Sequence, residues 1–197
     1  IENSNKILQD GENFTTMEHN WDEAYGYVYG GDDVANNSYK FWSSYINQVN
    51  ADVDFNTIKT DIDLAFRKGR AAIVANDYTT RDAQIEIIKE KIAIVPAVRA
   101  VYYLQEGKVK LVTDNGAKAF HALSEAYGFI IALRYTNKPG TNNPYFSKTE
   151  VDTMLATLIS GTNGLWDIDN LSPKLDAIST QIATKFGFTV DQAKTVN

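Results

Sequence analysis

The chain has 197 residues, 44% hydrophobic and 22% charged, and its 25 Asp and Glu against 19 Lys and Arg leave a net charge of −6. That apolar fraction excludes a disordered or fibrous chain, and the acidic balance argues against a phosphate-backbone partner, so no nucleic acid is expected. No apolar run approaches the roughly 20 residues of a membrane span, and the absence of cysteine removes disulfides, thiolate metal sites and cysteine nucleophiles.

The polar opening IENSNKILQDGEN starts without Met, and the expectation is a trimmed chain whose export signal lies outside it. From about Thr15 to Tyr29, Trp21, Tyr25 and Val28 recur at the spacing of one helix face. Asn37 to Val49 repeats the pattern with Phe41, Tyr45 and Val49. Asp54 or Asn56 would cap a third helix burying Ile58, Ile62, Ala65, Phe66 and Ile73. Residues 77–107 read as one long helix, capped by Thr79 or Thr80 and bent at Pro96. Lys108, Leu111 and Val112 suggest either a short strand or a loop leading to Asn115-Gly116. Ala117 to Tyr135 is a strongly apolar helix, and residues 136–146, with Pro139, Gly140 and Pro144, form a turn-rich linker. Ser147 with Glu150 is a capping-box signature opening the next helix. The last helix is expected from Pro173 to Phe186, with Ser172 as its cap and Gly187 as its stop. The predicted fold class is all-α, built of long helices.

An internal repeat cuts across this pattern. His19-Asn20-Trp21-Asp22-Glu23-Ala24-Tyr25-Gly26-Tyr27 aligns without gaps on His121-Ala122-Leu123-Ser124-Glu125-Ala126-Tyr127-Gly128-Phe129, about half the chain away. Both histidines of the sequence fall in it. The predicted architecture is therefore a duplicated helical bundle, with residues 1–110 as one repeat and 111–197 as a second, shorter one whose completeness the sequence leaves open. His and Glu at i and i+4 share a helix face, with Asp22 close by in the first copy. Such a pair can hold a divalent cation, act as an acid–base couple, or simply lock a helix crossing. The repeated glycines would allow close helix approach. Arg67 and Arg70 share a face and can pair with Asp22, Glu23 or Glu125, or clamp an anion. Asp167-Ile168-Asp169-Asn170 lacks the spacing of a calcium loop and reads as an Asx-rich turn.

The segments HNWDEAYGYVYG, FWSSYINQ, AFRKGRAAI and SEAYGFIIALRY resemble the imelysin-like family, within it a group of Gram-negative lipoproteins of unknown function. The resemblance covers most of the chain. It implies two helical bundles from a duplication, export to the periplasm or outer membrane with a lipid anchor outside this chain, and a link to iron. The family's GxHxxE motif is altered: Asp22 stands three residues after His19, Glu23 follows it, and Ser124 holds the corresponding place in the second copy. The expected function is that of a non-enzymatic envelope binding protein for a metal ion such as iron or zinc, or for a small ligand. Metal ligands would come from His19, Asp22, Glu23, His121 and Glu125, and ligand contacts from Tyr25, Arg67, Arg70 and Tyr127. No catalytic residue is assigned. A Glu/His hydrolase and a surface scaffold are the alternatives.

Overall fold

The computed structural model describes residues 11–113 and 117–196. Among them the chain forms α1 (Thr16–Tyr29), α2 (Trp42–Ala51), α3 (Ile58–Val74), α4 (Tyr78–Lys110), α5 (Ala117–Ala132), α6 (Lys148–Leu158), α7 (Ile168–Phe186) and α8 (Val190–Ala193), and no β-strand. The all-α class read from periodicity is therefore the observed one. Among these residues no helix is long and apolar enough to cross a membrane.

α4 is the organising element, 33 residues long and packed against α2, α3, α5, α7 and α8. Every residue from Val95 to Tyr102 is buried, as a helical stretch that is apolar on all sides but for Arg99 must be. α1 packs mainly on α3, and α6 bridges α5 and α7. The apolar positions assigned to α3, namely Ile58, Ile62, Ala65, Phe66 and Ile73, are all buried.

Several helix ends differ from the sequence reading, each for a local reason. Asn37 and Phe41 have φ of 52° and 50°, outside the right-handed helical region, so α2 begins only at Trp42. α4 is capped by Asp77 rather than by a threonine: its carboxylate accepts from the Thr80 N–H at 3.0 Å and the Thr80 hydroxyl at 2.6 Å. α4 also continues to Lys110 with Leu111 buried at its end. That leaves no strand at 108–112, and Asn115-Gly116 lies outside the described residues. α7 starts at Ile168, so Ser172 is not a cap and Pro173 sits inside the helix, where its ring removes one helical hydrogen bond. The Asx-rich run 167–170 is thus the entry to α7. α8 has no counterpart among the elements expected from sequence; Thr189 and Gln192 form a capping box at its start. The Ser147–Glu150 capping box and the left-handed Gly187 stop, at φ 80°, are as read from sequence.

Close helix approach falls at glycines other than the repeated pair. A Cβ on Gly69 of α3 would lie 2.0 Å from the ring of Trp21, and one on Gly107 of α4 would lie 2.6 Å from Leu123. Trp21 and Leu123 hold the same place in the two motif copies, and each seats its side chain on a glycine of the neighbouring helix. The Trp21 indole N–H also donates to the Phe66 carbonyl at 2.9 Å, which fixes the ring. Gly26 and Gly128, by contrast, have open space where a Cβ would stand. Gly26→Ala is therefore expected to stabilise by up to about 1 kcal/mol through helix propensity. Gly69→Ala is expected to destabilise by about 1–3 kcal/mol through overpacking of a rigid ring, and Gly107→Ala by less, because leucine can change rotamer. Denaturant titrations of the three variants would check this order.

Glu150 links the α6 cap to α7. It accepts from the Ser147 N–H at 2.7 Å and pairs with Lys185. The Lys185 ammonium foremost, then the Ser147 backbone, hold its carboxyl down at about 2, against an ordinary 4.5. A carboxyl lowered in the folded state contributes stability that is fully present above the unfolded value and lost as pH falls through the folded one. Wild type should therefore melt higher than Glu150→Gln at pH 7. That advantage should shrink below about pH 4.5 and vanish near pH 2; a pH-independent difference would contradict the assignment.

Candidate functional site

The first motif copy lies on α1. His19 Nε2 is 3.3 Å from Glu23 Oε1, with both side chains open to solvent, His19 the less so, and the His19 ring stacks on Phe14. Asp22 does not join them; it accepts from Arg70 Nε at 2.8 Å. Arg70 reaches Glu18 as well, at 3.0 Å, and Glu18 closes the Thr15 capping box of α1. Arg67 pairs at 2.7 Å with Asp63 on its own helix rather than across the bundle. Tyr25, Arg67 and Arg70 do come together, around a shallow notch beside Trp21 and Phe66. Both arginines there are already neutralised.

The second copy, on α5, is arranged differently. His121 is exposed, and among the described residues it makes no ion pair with Glu125. Ser124 turns its hydroxyl back to the His121 carbonyl at 2.8 Å. Tyr127 is partly buried against the core. Among the described residues no three His, Asp or Glu side chains converge as a metal site. The His19–Glu23 couple supplies two donors, where a protein zinc site ordinarily has three or four protein ligands.

Glu125 instead faces a cleft of about 410 Å³ between α2 and α5, within the range of roughly 300–1,000 Å³ typical of small-molecule sites. α5 lends it Glu125, Gly128 and Phe129, one helix face at i, i+3 and i+4. Phe41, Trp42 and Tyr45 form the opposite wall. The aromatic walls are fixed from behind: Tyr45 meets Phe129 edge-on at 4.9 Å, and Tyr103 stacks on Phe129 at 5.7 Å. Beneath them lies the buried Arg99, its guanidinium over Tyr102 at 4.4 Å and Tyr103 at 4.5 Å, donating to the Val196 carbonyl at 3.3 Å. Burial, and after it the charge of Glu125, raise the Tyr45 phenol above its ordinary value. Glu125 is the one charged group among the described residues lining the cleft, and among the described residues it has neither a hydrogen-bond nor an ion-pair partner. Gly128, with no Cβ to project into the space, keeps the cleft open.

A family model described as a domain of unknown function (DUF4856) matches residues 1–189. The chain belongs to the DUF4856 family. No curated protein and no solved structure matches it.

In this DUF4856 chain the cleft is set by a strained turn. Phe41 has φ 50° and ψ −122°, a conformation proper to glycine, yet its side chain is 81% exposed at the cleft rim. Asp32 enforces the turn, accepting from the Lys40 N–H at 3.0 Å and from the buried Ser43 hydroxyl. Strain of this kind costs on the order of 1–3 kcal/mol and concentrates at functional positions. Sequence reasoning placed Phe41 on a helical stripe and did not single out Trp42, Phe129 or Gly128 as lining residues. The available signal was the Glu125, Gly128 and Phe129 spacing on one face of α5. Phe41→Gly is expected to stabilise the protein by about 1 kcal/mol, after the extra chain entropy of glycine is subtracted, while removing one wall of the cleft. Chemical denaturation would check the gain; a loss of stability would show that the exposed ring carries packing energy.

Proposed function

We propose that this protein is an imelysin-related binding protein of the cell envelope, exported and non-enzymatic, that holds a small ligand in the α2–α5 cleft. The observation that carries this reading is the Glu125 carboxylate, unpaired among the described residues and set among aromatic walls in an open, ligand-sized cleft. An interior of mostly apolar rings with few polar groups is the usual make-up of a small-molecule site. Kinship to imelysin and placement in the envelope rest on the motif segments around His19 and His121. The related proposal, that the two motif helices arose by duplication, is supported by their burial. Met17 and Ala119, Trp21 and Leu123, and Val28 and Ile130 occupy matching positions and are all buried.

The metal form of this reading has less support, since iron or zinc at His19 and Glu23 would need a further donor while Asp22 is held by Arg70. A hydrolase reading has less again, because the His19–Glu23 couple stands in solvent on the outside of α1.

Gly128→Leu tests the proposal. The leucine side chain would fill the cleft where a Cβ meets nothing, with the fold preserved because leucine is a better helix former than glycine. Saturation-transfer NMR of the wild type with a mixture of indole, phenol and benzyl alcohol should show binding, and the variant should lose it at an unchanged melting temperature. Binding that persists in the variant, or no binding to the wild type, would overturn the cleft as the site.

A further inference from the structure

We propose that the α2–α5 cleft recognises an organic cation, an ammonium group carried on an apolar or aromatic body, with Glu125 as its counter-ion and Trp42, Tyr45 and Phe129 as its walls. This inference rests on the small-ligand reading of the cleft and names the ligand's chemical class.

Three observations converge on it. The first is the state of Glu125. It is partly buried, yet among the described residues it has no hydrogen-bond or ion-pair partner. Its counterpart Glu23 contacts His19, and Asp22, Asp61, Asp63 and Asp152 have Lys or Arg partners; among the described residues Glu90 of α4, also partly buried, is like Glu125 without one. A half-sheltered carboxylate left without a cation gains most from a ligand that supplies one, since a charge-assisted contact is stronger than a neutral hydrogen bond.

The second is the character of the walls. Aromatic faces attract cations through the ring quadrupole, most strongly when the ion is shielded from water. The neutral lining residues are Phe41, Trp42, Tyr45, Ser124, Phe129 and two small residues. A sugar-like ligand would need several polar partners for its hydroxyls. Here the polar groups are the carboxylate, one phenol, one indole N–H and the Ser124 hydroxyl, which already donates to the His121 carbonyl.

The third is the placement of positive charge. The guanidinium of Arg99 is 3% exposed and sits behind the wall, 5.7 Å from the Tyr45 ring centre and closer to Tyr102 and Tyr103. It is not a lining residue and cannot reach into the cleft to take an anion. The chain's net charge of −6 also favours the approach of a cation over that of an anion.

The experiment compares two probes of matched size, phenethylammonium and 2-phenylethanol, by titration calorimetry at pH 7 against wild type, Glu125→Gln and Gly128→Leu. The ammonium is expected to bind wild type about tenfold more tightly than the alcohol. Glu125→Gln should bring the two probes to within about twofold of one another, and Gly128→Leu should abolish both. Equal affinity of the two probes for wild type, with both lost in Gly128→Leu, would overturn the cation assignment and leave the cleft as a site for neutral ligands. Tighter ammonium binding that survives Glu125→Gln unchanged would overturn Glu125 as the counter-ion. No binding of either probe, or binding indifferent to Gly128→Leu, would overturn both the cation assignment and the cleft reading beneath it.

Discussion

A helix with every residue from Val95 to Tyr102 buried has no face left for solvent, and the rest of the chain is arranged to cover it. α3 and α5 flank α4 along much of its length, and α2, α7 and α8 close the remaining sides. Apolar burial is worth about 25 cal/mol per Å², so a helix surrounded in this way contributes far more than an amphipathic one of the same length. The cost of the arrangement is Arg99. Its charge lies in the middle of the buried stretch and is met by tyrosine ring faces and the Val196 carbonyl, while its Nε has no partner among the described residues. The Arg99–Val196 bond adds to the packing of α8 on α4 in tying the C-terminal residues to the central helix.

The same demand places the cleft. α2 and α5 both pack on α4, and the aromatic side chains of the two helices meet at Tyr45 and Phe129. The gap above that contact remains open because Gly128 projects nothing into it and because the turn at Phe41 carries its ring to the rim. Asp32 holds that turn in a conformation an isolated peptide would leave. The helical core therefore supplies the rigid floor, and a short strained loop supplies the edge.

The two motif copies show how identical residues acquire different tasks. In α1 the glutamate turns to its own histidine and the aspartate to Arg70. In α5 a serine replaces that aspartate, and Glu125 is left facing the cleft. What separates the copies is the histidine: His19 contacts Glu23, whereas among the described residues His121 makes no ion pair with Glu125, which is left as the acid to spare. At the position two residues after each histidine the copies agree, because Trp21 and Leu123 both fill the groove over a glycine.

Sequence periodicity alone determined the all-helical class, the buried face of α3, the long central helix, the serine capping box of α6 and the glycine stop of α7, because each depends on residues within a few turns of one another. It also marked Glu125, through the repeat. Only the tertiary structure decided that α2 would stand opposite α5, that the close approaches would fall at Gly69 and Gly107 instead of the repeated Gly26 and Gly128, and that Asp22 would be claimed by Arg70. It alone decided as well that Phe41 would take a glycine-like turn under the hold of Asp32. Those outcomes depend on which helices share α4 as a neighbour, and that is settled by packing across the whole chain, where local spacing carries no information.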